Sequence, residues 1–242
     1  MIQNLPELNG VLLVDKPKGW TSHDVVAKLR NLLQTRSAGH AGTLDPMATG
    51  LLVILLGKAT KASQILMSHD KEYEGVMRLG QVTNTQDADG DIVETAPVPP
   101  AIDADAIAAA LRRMEGDQYQ TPPMFSAKKI QGVPLYKLAR KGEDVPREPR
   151  FIHVARFELL SYSAPDAAFR VECSKGTYVR TLANDAGRAI GPGAHLVALR
   201  RTKSGDFNVA DALGLDAIAA MPRGDVAARL IPTWKAVPGR LL

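Results

Sequence analysis

A single cysteine, Cys173, stands in a chain of 242 residues, which excludes an intramolecular disulfide and a cysteine metal cluster and fits a reducing cytoplasm. Long apolar runs are missing too. The longest, Leu51-Leu-Val-Ile-Leu-Leu56, has the length of a strand and falls far short of the roughly 20 residues that a bilayer-spanning helix needs. The amino terminus, Met1-Ile-Gln-Asn-Leu-Pro-Glu7, lacks the basic and apolar regions of a signal peptide. A soluble, cytoplasmic protein without a membrane role is therefore expected. The histidines, His23, His40, His69, His153 and His195, show no paired ligand spacing, so no metal is expected. Neither G-x-G-x-x-G nor G-x-x-x-x-G-K-[ST] occurs in the strand and helix context it requires, and the G-x-S-x-G turn of many serine hydrolases is absent. A carboxylate, some aromatics and arginines remain, a set suited to chemistry on a sugar or base without redox or metal.

The charge that is present is unevenly placed. A formal net charge of +4 is compatible with a nucleic-acid partner without requiring one. From Met124 to Arg150, seven cations (Lys128, Lys129, Lys137, Arg140, Lys141, Arg147 and Arg150) stand against three acids, a local excess equal to that of the whole chain. From Gln81 to Gln120, eight acids stand against two arginines, so faces of different potential are expected. With 45% apolar residues the chain can bury the core of one large domain or two small ones.

Val11-Leu-Leu-Val14 reads as a strand that runs through Asp15-Lys-Pro-Lys-Gly19 into a helix capped by Thr21 or Ser22, with Val25, Val26, Leu29, Leu32 and Leu33 on one face. A second helix is expected over Ala59 to Ser68. A half-buried strand follows from Tyr73 to Leu79, where Tyr73, Gly75, Met77 and Leu79 alternate with Glu74 and Arg78. Residues 80–91 read as a polar loop, Pro97 to Pro100 as a break, and Asp103 to Met114 as a helix terminated by Gly116. Residues 121–150 hold five prolines and no sustained period, and read as an excursion from the sheet; stretches of this kind are usually functional or disordered. Phe151 to Tyr162 and Ala168 to Ser174 form an expected hairpin turning near Pro165-Asp166, and Tyr178 to Ile190 an expected helix closed by Gly191-Pro-Gly193. Strands and helices mix without a βαβ rhythm, which predicts an α+β fold with a largely antiparallel sheet.

The stretch Gly39-His-Ala-Gly-Thr-Leu-Asp-Pro-Met-Ala-Thr-Gly50 is the most informative of all. Three glycines and a proline in twelve residues imply sharp turning, and the apolar run that follows anchors the loop to a core. Two readings of Asp45 stand at this point. It starts a turn before Pro46, as aspartate often does, or it is presented for chemistry. Aspartate can act as a covalent nucleophile, and an adjacent arginine would hold it ionised.

This loop is similar to motif II of the TruB-type tRNA pseudouridine synthases, the family that isomerises uridine 55 in the T loop. Asp15-Lys16-Pro-Lys-Gly19-Trp-Thr-Ser22 resembles the family's amino-terminal motif. Lys71-Glu-Tyr73, followed by Leu79-Gly80 and Thr85-Gln-Asp87-Ala-Asp-Gly90, resembles its tyrosine strand, and Cys173-Ser-Lys-Gly-Thr-Tyr178-Val-Arg180-Thr-Leu182 its arginine motif. Four separated motifs in the right order leave little to chance. Pro122-Pro-Met-Phe-Ser-Ala-Lys128 through Arg150 is similar to the RNA-gripping thumb insertion, and Ala194-His-Leu-Val-Ala-Leu199-Arg-Arg201 to the late pocket strand. The resemblance runs from about Gly10 to Pro232.

The resemblance implies the pseudouridine synthase catalytic fold: a single domain over residues 1–242, its mostly antiparallel mixed sheet flanked by helices, with the RNA-binding insertion at about 121–150. It implies no metal and no organic cofactor. Asp45 would be the nucleophile, attacking ribose C1′ or base C6 so that the uracil is detached, rotated and rejoined through C5. Tyr73 would stack on the flipped uracil, Arg180 would pair with Asp45, and His40 would fill the space left by the extruded base. Tyr178 and Leu199 would line the pocket, while Lys16 would hold nearby backbone. Lys128, Lys129, Lys137, Arg140 and Lys141 would contact RNA phosphate.

Taken singly, each residue has a plainer reading: Tyr73 as core packing, Lys16 and Arg180 as solvated charges, His40, Tyr178 and Leu199 as turn or packing residues, and the basic segment as a solvated loop. One departure from the family pattern stands out. Its usual bacterial members continue into a PUA-type module, for which the sequence to Leu242 leaves no room, so a catalytic domain alone with a weaker hold on the tRNA acceptor end is expected. The expected partner is the tRNA T stem-loop, with no guide RNA and no obligate protein partner. An RNA chaperone and a guide-dependent isomerase of the same chemistry are the alternatives.

Overall fold

The computed structural model describes residues 7–126, 128–130 and 132–238. The chain divides into two compact units, one made of residues 1–71 and 200–242, the other of residues 72–199.

The first unit opens with β1 (Gly10–Lys16), α1 (Ser22–Leu32), β2 (Ala38–His40), β3 (Thr49–Leu56), a 3-10 turn over 57–62 and α2 (Ser63–Met67). The apolar run of β3 is buried along almost its whole length because β3 lies in the interior of the sheet. β1 pairs antiparallel with all of it, from Gly10↔Leu56 to Lys16↔Gly50, and β2 pairs with its far end, His40↔Ile54. Gly39 and His40 are thus strand residues rather than part of the loop. α1 starts at a capping box in which the Thr21 hydroxyl accepts from the Asp24 amide and the Asp24 carboxylate accepts from the Thr21 amide. Its expected face is buried at Val25, Val26, Leu29 and Leu33, but Leu32 stays 38% exposed, a position one turn-edge outside the stripe. The helix expected over 59–68 is split, since the Thr60 hydroxyl donates to the Gly57 carbonyl and the first turn tightens to 3-10.

The second unit contains β4 (Lys71–Leu79), β5 (Gln81–Thr83), β6 (Ile92–Thr95), α3 (Ala104–Arg112), β7 (Gly116–Gln120), β8 (Lys129–Ile130), β9 (Val133–Pro134), α4 (Leu135–Ala139), β10 (Arg150–Ser163), β11 (Asp166–Cys173), α5 (Val179–Ile190) and β12 (Ala194–Ser204). Its sheet runs in the order β12-β4-β11-β10-β7. β4 alternates buried and half-buried as expected. Residues 80–91 are more than a loop, because β5 and β6 pair as a hairpin whose turn is organised by the Asp87 carboxylate accepting from Thr85 Oγ1 and the Asp89 amide. Gly116 does not end α3. It adopts φ +94° and turns the chain into β7, a polar edge strand that no apolar alternation announces. The basic insertion leaves at Gln120 and returns at Arg150, which are paired in register, and its described residues include the β8–β9 hairpin and the single turn and a half of α4.

β12 carries the chain back into the first unit, followed by β13 (Phe207–Asn208), β14 (Leu213–Gly214), α6 (Leu215–Ala220), α7 (Arg223–Ala228) and α8 (Thr233–Ala236). β14 pairs parallel with β1, and the carboxy-terminal half of β12 pairs parallel with β3 through Arg200↔Thr49 and Arg201↔Gly50. The pairs β1–β3, β2–β3, β5–β6, β7–β10, β8–β9 and β10–β11 are antiparallel, giving the α+β class with a mixed, mostly antiparallel sheet that the sequence predicts. Among the described residues no helix is long and apolar enough to cross a membrane.

Candidate active site

The Asp45 turn is built by local sequence and then braced from three sides. Asp45, Pro46, Met47 and Ala48 form a β-turn closed by the Ala48 amide on the Asp45 carbonyl at 3.0 Å, with proline at the second position, where its fixed φ is pre-set. Asp45 therefore starts a turn, as the first of its two readings expects, and the residue is half-buried there. Ahead of it, the Ser22 hydroxyl donates to the Leu44 carbonyl at 3.1 Å and accepts from the Leu44 amide at 2.9 Å, tying the turn to the first residue of α1. Behind it, the Pro46 carbonyl accepts from the Gly19 amide at 2.8 Å and from Lys16 Nζ at 3.4 Å.

Lys16 is fully buried, not a solvated charge. Its ammonium also reaches the carbonyls of Trp20 at 2.7 Å and Pro17 at 3.0 Å, so its three donors hold three backbone acceptors. Burial pushes its pKa down to about 8; the Asp45 carboxylate acts against that shift and the Arg201 guanidinium adds to it. Arg201 is the residue that sequence reasoning missed. Only 1% exposed, it donates through Nε to the Leu51 carbonyl at 2.7 Å, through Nη2 to Gly42 at 3.1 Å and through Nη1 to Thr43 at 3.4 Å. Its neighbour Arg200 instead forms a two-pronged pair with Asp15 at 3.0 and 2.7 Å. A dibasic pair at the end of an apolar strand was the one available signal.

Gly50 lies between these two cations, paired with Lys16 on β1 and with Arg201 on β12. It adopts φ +97°, and a Cβ there would lie 2.3 Å from the Arg201 carbonyl oxygen. His40, at the end of β2, packs edge-on to His23 with ring centroids 5.4 Å apart. Burial first, then the nearby charges of His23 and Arg201, pushes the His40 pKa down to about 4, so its ring is neutral at pH 7. The first unit thus gathers Lys16, His40 and Asp45 around one loop.

The second unit carries the other four. Tyr73 is buried on β4, and Leu199 is half-buried on β12, the neighbouring strand. Tyr178 caps α5, its amide donating to Gln120 Oε1 at 2.8 Å and its carbonyl accepting from Gln120 Nε2 at 3.1 Å. Arg180 is buried, again not a solvated charge, and its guanidinium meets the Asp87 carboxylate at 3.2 Å and the Phe125 carbonyl at 2.6 Å. Asp87 stands within the stretch that resembles the tyrosine motif, and no sequence pattern singles it out as the partner of a buried arginine. In the insertion Lys128 is half-buried, Lys137, Arg140 and Lys141 are exposed, and Arg140 lies over the Tyr136 ring at 5.5 Å; the Lys129 side chain lies outside the described residues. Among the described residues no group of His, Cys, Asp and Glu gathers to hold a metal ion.

A carboxylate on a braced turn and buried cations, with a basic insertion on the same chain, are compatible with an enzyme that acts on a nucleic acid. The pattern described as TruB family pseudouridylate synthase (N terminal domain) matches residues 30–179, and that of the tRNA pseudouridylate synthase B C-terminal domain matches residues 180–228. The chain belongs to the TruB family of pseudouridylate synthases. A protein of Opitutus terrae named tRNA pseudouridine synthase B is 60% identical over 98% of this chain and 98% of its own length. A protein of the same name from Syntrophotalea carbinolica is 51% identical over 90% of this chain and 71% of its own length. Among solved structures, a chain of a Cbf5-Nop10-Gar1 complex is 32% identical with a TM-score of 0.74, covering 95% of this chain, which spans 62% of that one. The fold is that of the pseudouridine synthases.

Proposed function

We propose that this protein converts uridine 55 in the T loop of tRNA to pseudouridine, with Asp45 as the nucleophile. The observation that carries the reading is the Asp45 turn, clamped through the backbone carbonyls and amides on either side of the carboxylate by Ser22, Lys16 and Arg201. A group that must attack one carbon of a moving substrate benefits from a fixed position more than from any other single property. The uridine is hidden in a stacked loop and has to be flipped out, and a tyrosine face replaces part of the stacking it loses. We assign that face to Tyr73, the pocket wall to Tyr178 and Leu199, and the vacated space to the neutral ring of His40. Arg180 is assigned as the cation that keeps Asp45 ionised, since a nearby guanidinium favours the charged carboxylate.

In the reaction the Asp45 carboxylate bonds to ribose C1′ or to base C6, the C1′–N1 bond breaks, the uracil turns, a C1′–C5 bond forms, the bond to Asp45 breaks and frees the carboxylate, the C5 proton leaves to solvent and N1 takes up a proton. The two units act in this reading as parts of one catalytic domain, and the cations Lys128, Lys129, Lys137, Arg140 and Lys141 grip phosphate. The relatives named tRNA pseudouridine synthase B support tRNA as the substrate, and in this reading the tRNA is recognised directly, without a guide RNA, in the cytoplasm. The test is tritium release from tRNA labelled at uridine C5, using purified protein with no guide RNA. Wild type releases the label of one uridine per tRNA, and Asp45→Asn binds tRNA but releases none. Absence of release under single-turnover conditions with excess protein overturns the reading. Undiminished refolding of tRNA by Asp45→Asn, together with no release by wild type, would show a chaperone instead.

A further inference from the structure

Two large rings stand in water where the basic insertion leaves the sheet. Tyr119 on β7 is 74% exposed and Phe151 on β10 is 59% exposed. They are register partners on the last strand pair of the sheet, one residue before the chain departs at Gln120 and one after it returns at Arg150. Their centroids are 6.0 Å apart and their planes 78° to each other, an edge-to-face pair that leaves flat ring surface uncovered. Along the same ladder the next outward pair is polar, His153 Nδ1 lying 2.7 Å from Asp117 Oδ1. Farther in, Arg170 joins Glu74 and Glu158, and Arg156 joins Glu158. This sheet thus carries several ion pairs, and the Tyr119–Phe151 pair lies at its edge beside the insertion.

The surroundings say what such a surface meets. The insertion carries the whole positive excess of the chain, and the exposed Lys137, Arg140 and Lys141 belong to it. Its root is closed by Arg147 Nη1 on the Pro122 carbonyl at 3.2 Å, next to the Gln120↔Arg150 pair, so the two rings stand where the cationic segment joins the sheet. Aromatic faces interleaved with cations are the means by which proteins hold unpaired nucleotides without reading sequence, because every base has a π-face. A second copy of the chain fits less well, as it would bring one positive insertion against another.

We propose that Tyr119 and Phe151 form a stacking platform for an unpaired base of bound tRNA, separate from the reacting uridine. The proposal rests on the reading of this chain as a tRNA enzyme, and it assigns the two rings to substrate affinity, not to the chemical step. A purely structural role is the alternative, since cross-strand aromatic pairs also stiffen sheet edges.

The experiment measures tRNA Kd by filter binding across a range of salt, single-turnover tritium release at saturation, and thermal melting. The variants are Tyr119→Ala, Phe151→Ala, Phe151→Leu, Tyr119→Phe and Phe151→Tyr. Loss of a stacked base predicts about tenfold weaker binding for each alanine variant. The saturated rate and the slope of log Kd against log salt stay as in wild type, because stacking releases no counterions. Tyr119→Phe and Phe151→Tyr bind as wild type, whereas Phe151→Leu, apolar but without a π-face, binds as weakly as Phe151→Ala. Unchanged Kd in the alanine variants overturns the platform, as does full binding by Phe151→Leu. Weaker binding that tracks a lower melting temperature also overturns it, and so does a wild-type dimer that the alanine variants disperse. Wild-type tritium release separates the two readings: release with unchanged variant Kd values overturns the platform alone, and no release by wild type overturns the isomerase reading.

Discussion

His40 shows how a single residue can link pH to stability. Its Nδ1 is buried without a hydrogen-bond partner among the described residues, and burial with the charges of His23 and Arg201 pushes its pKa down to about 4. The unfolded chain takes up the histidine proton near its ordinary value of about 6.5, whereas the folded chain resists until about 4. The unfolded state therefore binds more protons in this window, and stability falls with pH there. The contribution is complete above about pH 6.5 and is lost as pH drops toward 4, amounting at most to about 3 kcal/mol at ~1.4 kcal/mol per unit. Urea unfolding at pH 7.5 and 4.5 checks this. Wild type should lose about 2 kcal/mol more between the two pH values than His40→Gln, which has no proton to take up. An equal loss in both proteins would show that His40 is not the group responsible.

At the scale of the element, the Asp45 turn is held by a row of three residues across three strands: Lys16 on β1, Gly50 on β3 and Arg201 on β12. The two cations reach the loop carbonyls, and the glycine between them leaves the backbones close enough to do so. Gly50→Ala places a Cβ 2.3 Å from the Arg201 carbonyl oxygen at φ +97°, so both the strand pairing and the conformation are strained. We expect it to cost about 2 to 4 kcal/mol in urea unfolding and to lower the saturated rate of tritium release more than it raises KM. Unaltered stability and rate would show that the row can shift without disturbing the loop. The sequence announced the loop and β3 clearly, because glycine, proline and an uninterrupted apolar run leave strong patterns. It hid Arg201, since an arginine bonded to carbonyls looks in sequence like any surface arginine, and a buried one is rare. β7 was hidden for the opposite reason. Its residues Gly116-Asp-Gln-Tyr-Gln120 are polar because an edge strand with one solvated side needs few apolar residues, and the short α6, α7 and α8 span too few turns to show a period.

At the scale of the whole molecule, the net charge of +4 is the charge of one segment, for Met124 to Arg150 holds seven cations and three acids while the rest of the chain balances. A polyanion therefore meets a molecule whose long-range attraction is concentrated in a single insertion, and that insertion is tied to the sheet at a paired root rather than spread across a face. Each phosphate neutralised by a cation releases counterions, giving a slope of about −0.7 to −0.9 in log affinity against log salt. Replacing Lys137, Arg140 and Lys141 by alanine should accordingly flatten the measured slope by about 2 to 3 and weaken tRNA binding most at low salt. The rate at saturating protein should stay near that of wild type, because the role proposed for these side chains is to grip phosphate, away from the reacting atoms. The same salt series then resolves the two proposed kinds of contact: loss of the exposed cations changes the slope, and loss of the Tyr119 and Phe151 rings shifts the line without tilting it. A triple variant that keeps the wild-type slope would place the phosphate contacts elsewhere on the molecule, leaving the charge of the insertion without a part in holding RNA.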